Sequence, residues 1–203
     1  MMVEVPTFIE NWDQATLKAL SSSPRQNILE FDQSLWTFVH VLCANANPAA
    51  QANFNLSDET VEFLANQEST KIIQLASGTL LSFSLAVPES EIFNELAKPY
   101  SVETFVHRTE HHEFDAAYWL LMNRVAGEEL YAATQVFGIS LQMARSIAQA
   151  TDLQVRHLAT TVQTCFSLRF NQDLIPHMLD NTILSNCHLK RVIQSLDSWR
   201  GEK

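Results

Sequence analysis

Histidine and acidic residues cluster near the middle of the chain, between His107 and Asp115. His107 and His111 are four residues apart, so a helix would place both imidazoles on one face, as a pair of metal ligands requires. His112 follows directly, but the segment lacks the spacing of a catalytic metal motif. A solvated helix face is the alternative interpretation, and the sequence favours it. We therefore expect no metal site and no cofactor, and the role of the histidines stays open.

Other patterns that carry chemistry are weak. Cys187 and His188 could join His177 as metal ligands, but three scattered ligands do not close a tetrahedral site. The chain has no glycine-rich phosphate loop, no nucleophile elbow and no paired-carboxylate arrangement, and it contains only four glycines. The sequence thus predicts a protein that is not an enzyme.

One stretch, Ser140–Thr161, has the pattern of two short helices joined by a three-residue turn, as in helix–turn–helix DNA readers. The candidate DNA contacts are Arg145, Arg156, His157, Lys190 and Arg191. Short packed helix pairs are also common in any helical bundle. Two arginines in this unit fall short of the roughly six to ten phosphate contacts of an independent DNA binder. We expect DNA binding only as part of a complex.

Charge is distributed unevenly. The formal net charge is −10, and residues 1–103 hold 4 Lys/Arg and 13 Asp/Glu, whereas residues 104–203 hold 9 and 10. Phosphate neutralisation supplies most non-specific affinity for DNA, so the whole chain is a poor DNA binder. Any DNA-facing surface should lie in the second half, and a basic partner must supply most of the positive charge.

Composition and periodicity predict helices joined by short loops. Hydrophobic residues make up 46% of the chain, and glycine and proline are too scarce for a many-stranded fold. Ser140 and Thr151-Asp152 are typical helix N-caps, and Gly138 suits a left-handed C-cap. Helices are predicted from near Arg25, from near Ser101, and over 89–97, 128–137, 141–150, 153–163, 173–180 and 183–199.

Two segments, 81–85 and 165–170, change to a period of two, which is typical of short strands. The alternative is that they are the extended ends of helices. As strands, they could pair with each other across a pseudo-two-fold axis and satisfy their backbone groups without a larger sheet.

The chain also matches itself without a gap at an offset of 83 residues. Between 31–85 and 114–168 there are 13 identities in 55 positions, including Trp36 with Trp119 and Phe83 with Phe166. This pattern predicts a tandem duplication with a first repeat over 1–85, a connector over 86–100 and a second repeat over 101–203. The paired aromatic residues are predicted to pack in the core between the repeats.

The run from Tyr118 to Phe170 resembles the FlhD family without a gap. The matching residues are Tyr118, Leu120, Leu121, Arg124, Glu128, Ala132, Ala133, Gly138, Ile139, Ser140, Met143, Ala144, Thr151, Gln154, Leu158, Ala159, Gln163, Arg169 and Phe170. The resemblance implies an all-helical, intertwined dimer that binds the FlhC subunit, the pair activating transcription of bacterial flagellar genes. A tandem fusion would place both halves in one chain, as a pseudo-dimer. The cysteine that can bridge the family dimer aligns with Phe166, so that disulfide is not expected here.

The resulting hypothesis is an all-α, non-enzymatic subunit of a transcriptional regulator that assembles with a basic, FlhC-like partner. It would be a pseudo-dimeric monomer or part of a larger hetero-oligomer. The alternative is a helical adaptor or secretion-associated chaperone with no role at promoters. Three widely spaced cysteines, an acidic N-terminus without a signal-peptide pattern and the lack of a long apolar run predict a cytoplasmic protein away from the membrane. Target genes, the partner's identity and stoichiometry stay open.

Overall fold

The computed structural model describes residues 22–98, 113–162, 164–180 and 184–200. In this part of the chain the protein is mostly helical and has one two-stranded sheet, which confirms the all-α prediction. The helices are α1 (Ser22–Ala44), α2 (Ala49–Phe54), α3 (Asp58–Ala65), α4 (Ser69–Ile72), α5 (Glu89–Leu96), α6 (Glu113–Glu128), α7 (Leu130–Phe137), α8 (Leu141–Gln149), α9 (Asp152–Thr161), α10 (Leu174–Leu179) and α11 (Leu184–Arg200). A 3₁₀ turn, Ile73–Leu75, continues α4.

Residues with hydroxyl side chains cap the N-termini of the helices for which the sequence predicted such caps. The side chain of Ser140 accepts a hydrogen bond from the backbone N–H of Met143 at the start of α8. Thr151 caps α9 and forms a capping box with Gln154, each side chain reaching the other's backbone N–H. Because the first N–H groups of a helix have no partner within it, these bonds fix where α8 and α9 begin.

Two helices that correspond at the offset of 83 residues each end at a residue with left-handed backbone conformation. Gly138 ends α7 with φ +70°, as predicted. Asn55, 83 residues earlier, ends α2 with φ +49°. Asparagine tolerates this conformation better than most side chains, which explains how the first half makes the same turn without glycine.

The predicted strands are present but shorter than expected. They are β1 (Phe83–Leu85) and β2 (Phe166–Leu168), antiparallel, with Ser84 opposite Ser167 at the centre. Two further bonds flank the pair in a reciprocal way: the N–H of Ala86 donates to Cys165 O at 2.8 Å, and the N–H of Arg169 donates to Ser82 O at 3.0 Å. The two strands and their flanking residues are thus joined directly to each other by backbone hydrogen bonds.

Each half of the molecule caps a helix of the other half. The N–H of Ser140 donates to Glu89 Oε1 at 2.7 Å, and the N–H of Ser57 donates to Gln172 Oε1 at 2.8 Å. Glu89 follows β1 and Gln172 follows β2, again 83 positions apart. The segment after each strand therefore crosses to the opposite half, where it supplies an acceptor to a helix N-terminus.

Side chains of both halves form one hydrophobic core. The ring of Phe31 stacks on Phe114 with centroids 4.9 Å apart, and Phe54 stacks on Phe166 at 5.8 Å. The elements from α2 to β1 and from α7 to β2 follow the same order at the same offset, but in the first half α4 and the 3₁₀ turn replace the single helix α9. We regard the duplication and the boundaries at 85 and 100 as proposals that this correspondence supports.

The predicted start of a helix near Ser101 lies outside the described residues, and α6 is described from Glu113 onward. Among the helices that the structure describes, none is long and apolar enough to cross a membrane.

Candidate nucleic-acid and partner interface

The candidate DNA-reading unit consists of α8 and α9. Met143, Ala144 and Ile147 on α8 are buried, as are Val155 and Leu158 on α9, so the inner faces of both helices belong to the core. The side-chain amide of Asn123 on α6 donates to the backbone oxygens of Ile147 and Ala150 at the turn between them. The pair is held rigidly against α6, with only its outer face exposed to solvent.

Two of the three predicted contacts in this unit face solvent. Arg145 on α8 and Arg156 on α9 are exposed. His157 is different, because its side chain is only 14% exposed and its Nε2 lies 3.7 Å from Glu95 Oε2 on α5. The outer face therefore offers two fixed positive charges, too few for tight binding of a duplex by this unit alone.

The N-terminus of α8 already has an anionic partner within the chain. Glu89 accepts hydrogen bonds from both the N–H and the hydroxyl of Ser140. A helix N-terminus attracts anions through its free N–H groups and its dipole. Because the Glu89 carboxylate already occupies this position, the N-terminus of α8 is poorly suited to bind a DNA phosphate.

The two basic residues predicted at the C-terminal end occupy opposite environments. Lys190 is exposed, whereas Arg191 is only 2% exposed. The guanidinium of Arg191 donates to Ser82 Oγ at 2.7 Å and to Asp32 Oδ2 at 3.3 Å, and it also donates to Leu75 O. The expectation that Arg191 contacts DNA is corrected, because its donors are used inside the protein.

Asp32 is the anionic centre of this buried network. Its carboxylate is fully buried and accepts bonds from the N–H of Ser77, from the N–H and hydroxyl of Ser82, and from Arg191. Burial raises the pKa of Asp32, and the charge of Arg191 and the bonds from Ser82 and Ser77 act against that rise. Burial likewise lowers the pKa of Arg191, and the charge of Asp32 acts against that lowering. Trp36 extends the network by donating its Nε1–H to Ser82 Oγ at 2.6 Å.

A second buried guanidinium, Arg169, follows β2. It is 3% exposed and donates to four backbone oxygens: Leu81, Val136, Gln135 and Ser195. Burial is the main cause that lowers its pKa, to about 10. No structural role was predicted for Arg169, although a charged residue inside an apolar, alternating run indicates that its side chain is buried. Together the two arginines attach α11 to the rest of the protein.

The predicted packing residues all lie in the core: Trp36, Phe83 and Trp119 are fully buried and Phe166 is 3% exposed. Trp36 packs on Phe83 at a centroid distance of 4.8 Å.

The histidine segment 107–112 lies outside the described residues, and so do the side chains of Cys187 and His188. Across the ranges given above, no group of three or more potential metal ligands comes together.

Comparison with known proteins finds a family similarity in the second half. Residues 103–195 match the family model FlhD, described as a flagellar transcriptional activator. This finding confirms the resemblance that the sequence predicted over 118–170. The match covers every candidate DNA contact, and it supports a regulatory role in transcription, since the family is one of activators and not of enzymes. Neither the curated proteins nor the solved structures contain a significant match to the chain.

Proposed function

We propose that this protein is a regulatory subunit that acts in the cytoplasm by assembling with a basic, FlhC-like DNA-binding partner, and that it reaches DNA only within that complex. The observation that carries the proposal is the FlhD match over 103–195. Within that range the outer face of α8 and α9 presents Arg145 and Arg156, and Lys190 is exposed on α11. These three residues are our candidate DNA contacts.

The distribution of charge supports a model in which the partner makes most of the contacts with DNA. The chain carries −10 overall, and the excess of acidic residues lies almost wholly in residues 1–103. A polyanion such as DNA is repelled by that half, while a basic partner is attracted to it. The partner would then supply most phosphate contacts, and the second half would add a few that set position.

Binding of fluorescently labelled DNA from upstream of the source bacterium's flagellar genes tests the proposal. At physiological salt the purified chain should not bind measurably, whereas a mixture with the FlhC-type protein of the same genome should bind specifically. Arg156→Glu or Lys190→Glu should weaken DNA binding by the complex without weakening assembly. Arg25→Glu makes the same change of charge at an exposed position in the first half and should leave DNA binding unchanged.

Tight, salt-sensitive binding by the chain alone would contradict the proposal and favour an independent helix–turn–helix reader. A stable complex with proteins that have no link to DNA would favour the adaptor function.

A further inference from the structure

The outer side of α1 carries a groove that joins most of the exposed apolar residues of the first half. Its volume is about 590 Å³, and its lining includes Glu30, Gln33, Phe38 and Val41 of α1 together with Ile73 of the 3₁₀ turn. We refer to it as the α1 groove. Phe38, Val41 and Ile73 are 45%, 47% and 40% exposed, and they are three of the six large hydrophobic residues exposed in the described part of the chain. Their convergence in one groove makes it a candidate interaction surface.

Two apolar residues of the groove, Val41 and Ile73, occupy positions at which the second half carries a charged residue. At the offset of 83, Val41 corresponds to Arg124 and Ile73 corresponds to Arg156, and both arginines are exposed. The same positions of a similar helical arrangement thus accept a full positive charge in the second half. The exposed Val41 and Ile73 therefore leave an apolar surface in the first half that the second half lacks at the same positions.

One ring in the groove is already fixed in place. Phe38 lies with its centroid 5.8 Å from Phe114 and 6.0 Å from Phe54, and both neighbours belong to the core or pack against it. A ring held in this way loses little conformational freedom when a partner covers it. Phe38 is therefore suited to act as an apolar anchor.

The charge around the groove defines what can bind there. Glu30 is exposed and is the one charged residue among those that line the groove, which has no basic residue in its lining. From Glu30 to Val41 the helix runs for about 17 Å, enough to lie against about three turns of another helix. A segment that presents apolar residues on one face and Lys or Arg beside them would match both the apolar side chains of the groove and the carboxylate of Glu30.

We propose that the α1 groove binds an amphipathic, basic helix of the partner protein, and the candidate DNA contacts Arg145, Arg156 and Lys190 lie outside this groove. This inference rests on the proposed function for the identity of the partner. The difference in surface residues between the two halves would then correspond to a difference in binding: the first half binds protein and the second half approaches nucleic acid.

A defined probe tests the chemistry of the groove. The probe is a labelled helical peptide of about 15 residues with leucines on one face and lysines on the other, long enough to form a helix once bound. The full-length chain should bind it, and a matched peptide with glutamate in place of lysine should bind at least about tenfold more weakly. Fluorescence anisotropy measures both.

Variants of the chain locate the binding site. Val41→Arg with Ile73→Arg copies the residues of the second half and should weaken binding of the lysine peptide by about tenfold or more. Leu153→Arg places the same residue on α9, at a leucine that is 48% exposed, and should change binding less than about twofold. Circular dichroism checks folding, and Val41→Ala with Ile73→Ala replaces the arginine pair if that pair does not fold. Equal binding by all variants would overturn the proposal.

The proposal would also be overturned if the groove is occupied by a second copy of the chain or by the chain's own residues 1–21. In either case, a photo-crosslinking residue in place of Val41 would crosslink to that segment when no peptide is present. Crosslinking to the lysine peptide, at a monomeric mass by light scattering before the peptide is added, supports the proposal.

The FlhC-type protein separates the two proposals. If it binds the chain and the groove variants do not weaken that complex, the groove proposal fails and the proposed function stands. If it does not bind, but the peptide binds wild type and not the groove variants, the proposed function fails and the groove stands as a site for another basic protein.

Discussion

Arg191 and Lys190 carry the same charge and are neighbours in sequence, yet only Lys190 is exposed to solvent. The partners of Arg191, which are Asp32, Leu75 and Ser82, lie more than 100 positions away in the sequence. Local periodicity cannot show such a contact. The sequence alone therefore places both residues on the surface, and only the packing of α11 against the first half separates them.

The ion pair between Asp32 and Arg191 should respond strongly to the loss of either partner. Asp32→Asn and Arg191→Met should each lower the free energy of unfolding by about 3 kcal/mol, because each leaves a buried group unpaired. The double variant should lose clearly less than the sum, since it leaves no buried charge alone. Urea unfolding at pH 7 measures all three. Lys190→Met is the control and should change stability by less than about 0.5 kcal/mol. Additive losses would show that the pair is not coupled.

The two tryptophans that correspond at the offset of 83 differ in one hydrogen bond. Both are fully buried, but only Trp36 donates its Nε1–H, to Ser82, whereas Trp119 Nε1 has no acceptor among the described residues. Replacement by phenylalanine removes a similar area from each. Trp36→Phe should therefore cost about 1 kcal/mol more than Trp119→Phe in urea unfolding. Equal costs would mean that the bond to Ser82 adds no net stability.

Stability should fall at alkaline pH through Cys43. This thiol is 3% exposed, and burial raises its pKa from 9.0 to about 11. The unfolded chain ionises first, so the stability contributed by the neutral thiol is present below pH 9 and is lost as the pH rises towards 11. Between pH 8 and pH 10 the wild-type protein should lose about 1 kcal/mol relative to Cys43→Ala. Parallel pH profiles for the two proteins would contradict this expectation.

At the scale of elements, the helix ends were the most predictable feature. Ser140, Thr151 and Gly138 act through bonds to residues a few positions away, so their roles can be inferred from the local sequence. The lengths of the strands could not be inferred in this way. β1 and β2 extend only as far as each pairs with the other, and the residues beyond them turn to make other contacts, such as the bonds of Arg169.

Two glycines provide a matched test of backbone conformation. Gly138→Ala should destabilise the protein by about 1–2 kcal/mol, because φ is +70° and an added Cβ would lie 3.2 Å from the guanidinium of Arg169. Gly127→Ala should instead stabilise it by about 0.5–1 kcal/mol, because Gly127 lies within α6 and nothing is within 4 Å of the added Cβ. Thermal unfolding compares the two. The same sign for both variants would contradict the assignment of Gly138 as a left-handed cap.

For the molecule as a whole, the sequence predicted the order of the helices and the pairing of the two short strands. It could not show how the halves exchange contacts. The bonds from Ser140 to Glu89 and from Ser57 to Gln172 join residues that have no pattern in common with a capping motif. The candidate DNA face was predicted in part: Arg145, Arg156 and Lys190 are exposed, while His157 and Arg191 are engaged within the fold.

Because each half completes the other, the second half should not form a stable monomer by itself. A fragment of residues 104–203 would lose β1, the Glu89 cap of α8 and the rings of Phe31 and Phe54 that pack on it. Exposed apolar surface and a free strand edge favour aggregation or self-pairing. Expression should yield insoluble material or a homodimer, as judged by circular dichroism and light scattering. A folded, monomeric fragment would refute the interdependence of the halves.

The short β1–β2 ladder also has a consequence for behaviour at low abundance. In an assembly of separate subunits, such pairing is a second-order event, and dilution dissociates it. Here both strands belong to one polypeptide, so they meet at an effective concentration that the intervening residues set and that the number of molecules in the cell does not alter. The unfolding midpoint of this protein should accordingly be the same at every protein concentration. A few copies per cell would then remain as completely folded as many.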